Sequence, residues 1–290
     1  MNSARTAYET LEPFHVLAYF NPGMKAALDE TGLSPIALYA GGRGAPLGPC
    51  APSVVTATFY NFNPGLIEPA WRDAVAVGLD TVSDARYRML DEQLRAIIGD
   101  GVDEPVIGEL ADTFEAAVTR LPLGGRPLAA AWASGPVPEA PHLRLWRHVA
   151  VLREWRGDNH IAALVTHGLD GLDVVTFHEA DLPDPTVKRR IMGREMIKFT
   201  RGWSDDDWER SVDRLVAAGL AERTDTPNAL GVAHRLTADG AATYDDIEAE
   251  TDALGETIWS APELIDALDR IRPYVKAILD AGVLPGTRKK

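Results

Sequence analysis

Cysteine is almost missing from this chain. Cys50 is the one cysteine among 290 residues, so no disulfide can form within it. A disulfide-stapled secreted fold is thereby excluded. No apolar run approaches the ~18 residues of a membrane-spanning helix. The opening stretch, MNSARTAYETLEPFH, carries Glu9 and Glu12 where a signal peptide would be apolar. Together these absences lead us to expect a cytoplasmic protein with no membrane partner. Positive charge is also scarce: 29 Lys and Arg stand against 43 Asp and Glu, a net charge of −14. General nucleic-acid binders gain affinity by neutralising phosphates, so this balance argues against DNA.

Known catalytic and cofactor signatures are missing too. There is no Gly-x-Ser-x-Gly elbow, no P-loop, no dinucleotide fingerprint and no His-Glu-x-x-His among the seven histidines. We therefore expect no cofactor and no metal, although helical bundles can gather ligands from distant helices. Cys50 sits in an apolar loop and reads as packing. Trp132, Trp146, Trp155, Trp203 and Trp208 read as core and interface residues.

What the chain does contain is helical spacing. Helices are predicted over 4–18, 22–31, 64–77, 84–98, 109–121, 142–168, 238–254 and 262–281, the last interrupted near Pro273. Residues 53–62 are β-branched, yet their flanks favour a helix. Residues 41–52, GGRGAPLGPCAP, are predicted to form a shaped loop, and 99–108 a linker. Phe-Asn-Pro-Gly occurs at 20–23 and again at 62–65, where Asn as cap and Pro at the first helical position would each start a helix. The Pro-, Gly- and Ala-rich stretch 124–141 marks the expected boundary between an N-terminal helical domain (1–123) and a C-terminal portion (124–290).

Residues 142–254 resemble a MarR-type winged helix. Val212–Arg223 reads VDRLVAAGLAER, Thr224–Ala233 is a turn-rich wing, and His234–Gly240, HRLTADG, leads into a long helix. In such proteins that Leu-Thr-x-x-Gly step ends the wing strand and starts the last helix. The resemblance implies a mainly α protein whose C-terminal domain is winged-helix-like with a small β wing. The whole chain is also similar to an actinobacterial family described as helix-turn-helix. The matching stretches are Glu12–His15 with Tyr19-Phe20, Gly42-Arg43 with Ala45–Gly48, Leu152–Asp158 with His160, and Gly202-Trp203.

A recognition helix places its first residues at base edges. Here they are Ser204, Asp205, Asp206 and Asp207: a good N-cap and dipole match, and poor chemistry against phosphate. Residues 202–290 hold 10 basic and 18 acidic side chains. Against this, 186–201 holds six basic residues and one acid, with Arg190, Arg194, Lys198 and Arg201 at helical spacing. That face reads as solvated or paired with the acids of 204–213, with an anion site or a phosphate contact as alternatives.

The densest polar cluster is Arg153–His160, REWRGDNH. It reads either as an Arg–Asp–His network fixing a helix break or kink at Gly157, or as part of a pocket between the two domains. In the second reading Asp158 orients and charges His160, which acts as acid/base. Arg153, Arg156 or Arg43 holds an anion, and His15 and Tyr19 join from the first helix. The leading expectation is then a protein that binds or converts a small molecule, with a repurposed winged helix. The alternatives are a ligand-responsive regulator, which would be a homodimer with a basic groove at 189–201, and a scaffold that docks a protein partner on its acidic surface.

Overall fold

The computed structural model describes residues 2–187 and 191–287. Fourteen α-helices and one two-stranded sheet make up its regular structure, with two short 3-10 turns. The fold is thus mainly α with a small β wing. No helix among the described residues is long and apolar enough to cross a membrane. The chain clusters into two compact units, each discontinuous in sequence. One holds residues 1–50, 70–159 and 252–290, the other 51–69 and 160–251. Residues 123 and 124, where a domain boundary was expected, both lie in the first.

The first unit contains α1 (Ser3–Val16), α2 (Met24–Thr31), α3 (Pro35–Gly44), α6 (Leu79–Ile98), α7 (Pro105–Val118), α8 (Pro127–Ser134) and α14 (Pro262–Asp280). Local chemistry sets their starts. Asn2 accepts from the Arg5 amide and Ser34 from that of Ala37, and proline opens α3, α7, α8 and α14. The helices close over buried Trp71, Trp132, Trp146, Phe14 and Phe114.

Three local expectations are corrected here. The glycines at 41, 42 and 44 are helical rather than looped, and at 41 and 44 neighbours leave no space for a side chain. A Cβ at Gly41 would meet the Ala74 methyl at 2.7 Å, and one at Gly44 would meet the Trp71 ring at 2.9 Å. Pro273 lies inside α14 without interrupting it. Asn21 caps no helix: α2 starts at Met24, and the Asn21 amide donates to the Leu17 carbonyl at 2.5 Å. Asn63 does mark a helix start, its side chain accepting from the Gly65 amide at 2.7 Å as α5 (Pro64–Val77) begins.

The second unit contains α4 (Pro52–Phe59), α10 (Gly171–Glu179), α11 (Arg194–Arg201), α12 (Asp205–Ala217), β1 (Ala221–Arg223) and β2 (His234–Leu236). The strands pair antiparallel, Ala221 opposite Leu236 and Arg223 opposite His234, and Asp181 adds a parallel bridge to Arg235. Helix, bridge, two helices and a hairpin follow one another as in a winged helix. Gly202, at φ 76°, makes the turn between α11 and α12, and Ser204 and Asp207 form a reciprocal capping box at the start of α12.

The Leu-Thr-x-x-Gly step has a physical reason. Thr237 caps α13 (Ala238–Trp259), its hydroxyl oxygen accepting from the Gly240 amide at 3.0 Å. A Cβ on Gly240 would fall 1.9 Å from the Leu220 carbonyl oxygen, so only glycine lets the helix start against the chain entering β1.

Three of the four cuts between the units fall inside α5, α9 (Pro141–Thr166) and α13, and the fourth follows Cys50. α9 runs through Gly157 unbroken, so the chain takes no helix break there.

Candidate functional site

His160 lies near the end of α9, and α10 and α13 supply its neighbours. On α13, Tyr244, Glu248 and Thr251 are spaced four and three apart and so share a face. Thr251 donates its hydroxyl proton to the Ile247 carbonyl at 2.8 Å, which leaves its oxygen to accept from Nδ1 of His160 at 3.0 Å. From α10, His178 donates Nδ1–H to the Val174 carbonyl at 2.8 Å. A carbonyl can only accept, so this bond fixes the tautomer.

The His160 and His178 rings meet edge to face, with centroids 5.6 Å apart. The Glu248 carboxylate lies 4.0 Å from Nδ1 of His160, and the two side chains keep 17% and 20% of their surface exposed. Tyr244 and Phe177 flank His178, with centroids at 5.3 and 5.9 Å. The site is therefore two imidazoles and a carboxylate, partly open, against an aromatic wall. Such a set can exchange protons, hold a cationic group or ligate a metal.

The carboxylate beside His160 is thus Glu248. Asp158 directs its Oδ2 to the Ala129 amide at 2.9 Å, inside the first turn of α8. Burial pushes its carboxyl up to about 6, and the backbone bond works against that rise.

The remaining sequence-derived residues gather in the first unit. The stretches around Glu12, Arg43 and Arg153 do converge, as ion pairs internal to the chain. Arg43 makes a two-pronged contact with Glu154, at 2.8 and 2.7 Å. Arg153 pairs likewise with Glu12. Arg156 lies 3.6 Å from Asp252 and 4.0 Å over the Tyr8 ring. Burial alone would raise the Glu154 carboxyl, but the Arg43 guanidinium overrides it and holds the group below its usual range. Glu12 behaves the same way beside Arg153.

His15 is buried, stacked on Trp146 and edge-on to Tyr19. Desolvation lowers it to about 4, against the pull of Glu154 and Glu12, so it is neutral near pH 7. Neither its ring nitrogens nor the Tyr19 hydroxyl meets a hydrogen-bond partner among the described residues. Tyr19 borders a cavity with room for about one water molecule, far below the volume of a ligand site. The first unit thus holds these groups in a tightly packed, charge-compensated core.

On the helix-turn-helix itself, several cations face acids, while Arg201 lies 4.4 Å over the Phe62 ring. Arg194 pairs with Asp205 at 2.7 Å and Glu209 at 2.6 Å. Lys198 pairs with Asp205 and with Glu195, and Arg210 with Asp207 at 2.5 Å. Arg223 holds Glu209 and Asp213, both at 2.7 Å. Hydrogen bonds from Lys198 and Arg194 keep the Asp205 carboxyl low. Lys188, Arg189 and Arg190, part of the expected basic face, lie outside the described residues.

A helix-turn-helix family model matches residues 4–285. The chain belongs to the helix-turn-helix family. The match takes in both units, so the family comprises the helical unit as well as the winged helix. No curated protein and no solved structure matches this family member.

Sequence reasoning reached His160 and missed His178 and Glu248. His178 sits in an apolar run, VVTFHEA, with no polar spacing to single it out. Glu248 is one of many acids on α13. The one signal was the spacing of Tyr244, Glu248 and Thr251, which reads equally well as a solvated face.

Proposed function

We propose that this protein binds or converts a small molecule at a centre built on His160, and that its winged helix serves a purpose other than reading DNA. The observation that carries this reading is the convergence of His160, His178 and Glu248 from three helices onto one partly open spot. Two imidazoles and a carboxylate beside an apolar wall suit proton transfer or the holding of a polar ligand.

The helix-turn-helix surface supports the second half of the proposal. Its first turn presents Asp205–Asp207, and Arg194 and Lys198 are held by acids within the same unit. Freeing those cations for phosphate would break several ion pairs at once.

The second reading is a MarR-like ligand-responsive regulator. The family match and the order of elements around the wing favour it. Fluorescence anisotropy with random duplex DNA, from low to physiological salt, separates the two. No binding at low salt is expected. Binding that weakens steeply with salt, and is lost in Arg210→Glu/Arg223→Glu, would replace this reading with the regulator.

A further inference from the structure

We propose that His160, His178 and Glu248 form a binding site for a divalent first-row transition-metal ion of the zinc or ferrous kind. The proposal rests on the reading of His160 as the functional centre, and it adds the chemical class of what is held there.

The first support is geometric. One nitrogen from each histidine and one Glu248 oxygen lie within 4.8 Å of one another. Ligand atoms around a tetrahedral zinc ion sit about 3.4 Å apart, from bonds of about 2.0–2.1 Å. A contraction of up to about 1.4 Å closes the set, within reach of side-chain rotations.

The second support is the tautomers. Metal-bound histidines characteristically donate their other ring N–H to a carbonyl, carboxylate or similar acceptor. His178 does this through Nδ1 to the Val174 carbonyl at 2.8 Å. His160 does it through Nδ1 to Thr251, whose own proton is committed to Ile247. The Val174 bond sets His178 with its lone pair on Nε2, the atom a metal would take. These bonds also orient the rings before any ion arrives.

The third support is the donor set and its surroundings. Two imidazoles with one carboxylate suit Zn2+ and non-haem Fe2+, and leave coordination positions for water or substrate. Partial exposure of His160 and Glu248 gives an ion access, while Tyr244 and Phe177 shield one side. Calcium and magnesium prefer all-oxygen ligands, so they fit poorly.

The test is a titration of the chelator-treated, buffer-exchanged full-length protein with Co2+ alone, followed by its visible absorption bands. Wild type is expected to saturate at one equivalent, and added Zn2+ to displace the cobalt and raise Tm. Glu248→Gln and His178→Asn are each expected to lose at least tenfold in affinity. His167→Gln, which removes a surface histidine 3.3 Å from Glu250, is expected to bind as wild type does. Circular dichroism checks folding. Glu248→Gln keeps the side chain's shape, so it decides the matter if His178→Asn does not fold.

Absence of cobalt bands in wild type at excess Co2+, or unchanged affinity in Glu248→Gln, overturns the metal site. Its failure is distinguishable from that of the broader reading. A protein that binds neither cobalt nor DNA loses the metal and keeps the small-molecule centre. One that binds cobalt and also grips DNA in a salt-dependent way keeps the metal site and loses that reading.

Discussion

Thr251 holds His160 through a two-bond relay: the Ile247 carbonyl takes the threonine's proton, and the threonine oxygen takes the imidazole's. A side chain that only had to be buried would need no such chain. The relay selects one tautomer, and the Val174 carbonyl selects the same one in His178. Two histidines from different helices are thus set alike, beside one carboxylate.

The Arg43–Glu154 pair should behave as a structural element. Glu154 is almost wholly buried and Arg43 largely so. Glu154→Gln leaves a buried guanidinium without its counter-charge, and is expected to cost about 3–5 kcal/mol in urea unfolding. Arg43→Met/Glu154→Met, which removes both charges, should cost less than Glu154→Gln. Additive losses in the double variant would contradict this account.

His15 links stability to pH. Its folded value of about 4 lies below the ordinary value of 6.5. Its contribution is therefore complete above pH 6.5, and declines as pH falls toward 4, because the unfolded chain takes up a proton that the folded chain refuses. His148 is lowered to a similar value by burial, then by Arg147 and Arg144, and adds to the same window. Between pH 6.5 and 5, His15→Phe should lose about 2 kcal/mol less than wild type, from 1.36 kcal/mol per pH unit. An unchanged acid slope in chemical denaturation would contradict the assignment.

Tyr19→Phe removes a buried hydroxyl that has no partner among the described residues. The variant is expected to be as stable as wild type, or more stable by about 1 kcal/mol. A clear drop in Tm would show that the hydroxyl bonds to a water in the neighbouring cavity.

Gly240→Ala sets a new methyl group against the Leu220 carbonyl. A loss above about 2 kcal/mol is expected, since backbone must move. Gly108→Ala, in α7 with nothing near the new Cβ, should stabilise by about 0.5–1 kcal/mol. Equal effects at the two positions would contradict the packing.

The fold class was legible because helical spacing and caps are local: Ser204, the Asn63-Pro64 start and the Leu-Thr-x-x-Gly step all read correctly. Gly41–Gly44 misled because glycine marks both turns and close helix contacts, and only the partners Ala74, Val82 and Trp71 tell the two apart. The units were hidden because three of their four cuts fall inside helices, where no turn residue marks them. The site was half legible. His160 stood in a polar cluster, but that cluster's arginines turn to Glu12 and Asp252, and its Glu154 takes Arg43. Its actual companions, His178 and Glu248, come from helices far along the chain, where no spacing rule connects them.

The most direct test of the central claim is an anomalous difference map from crystals of the Zn2+-loaded protein, recorded across the zinc edge. The account predicts one strong peak within bonding distance of His160, His178 and Glu248. A map with no peak there, or with zinc only at other side chains, would contradict it.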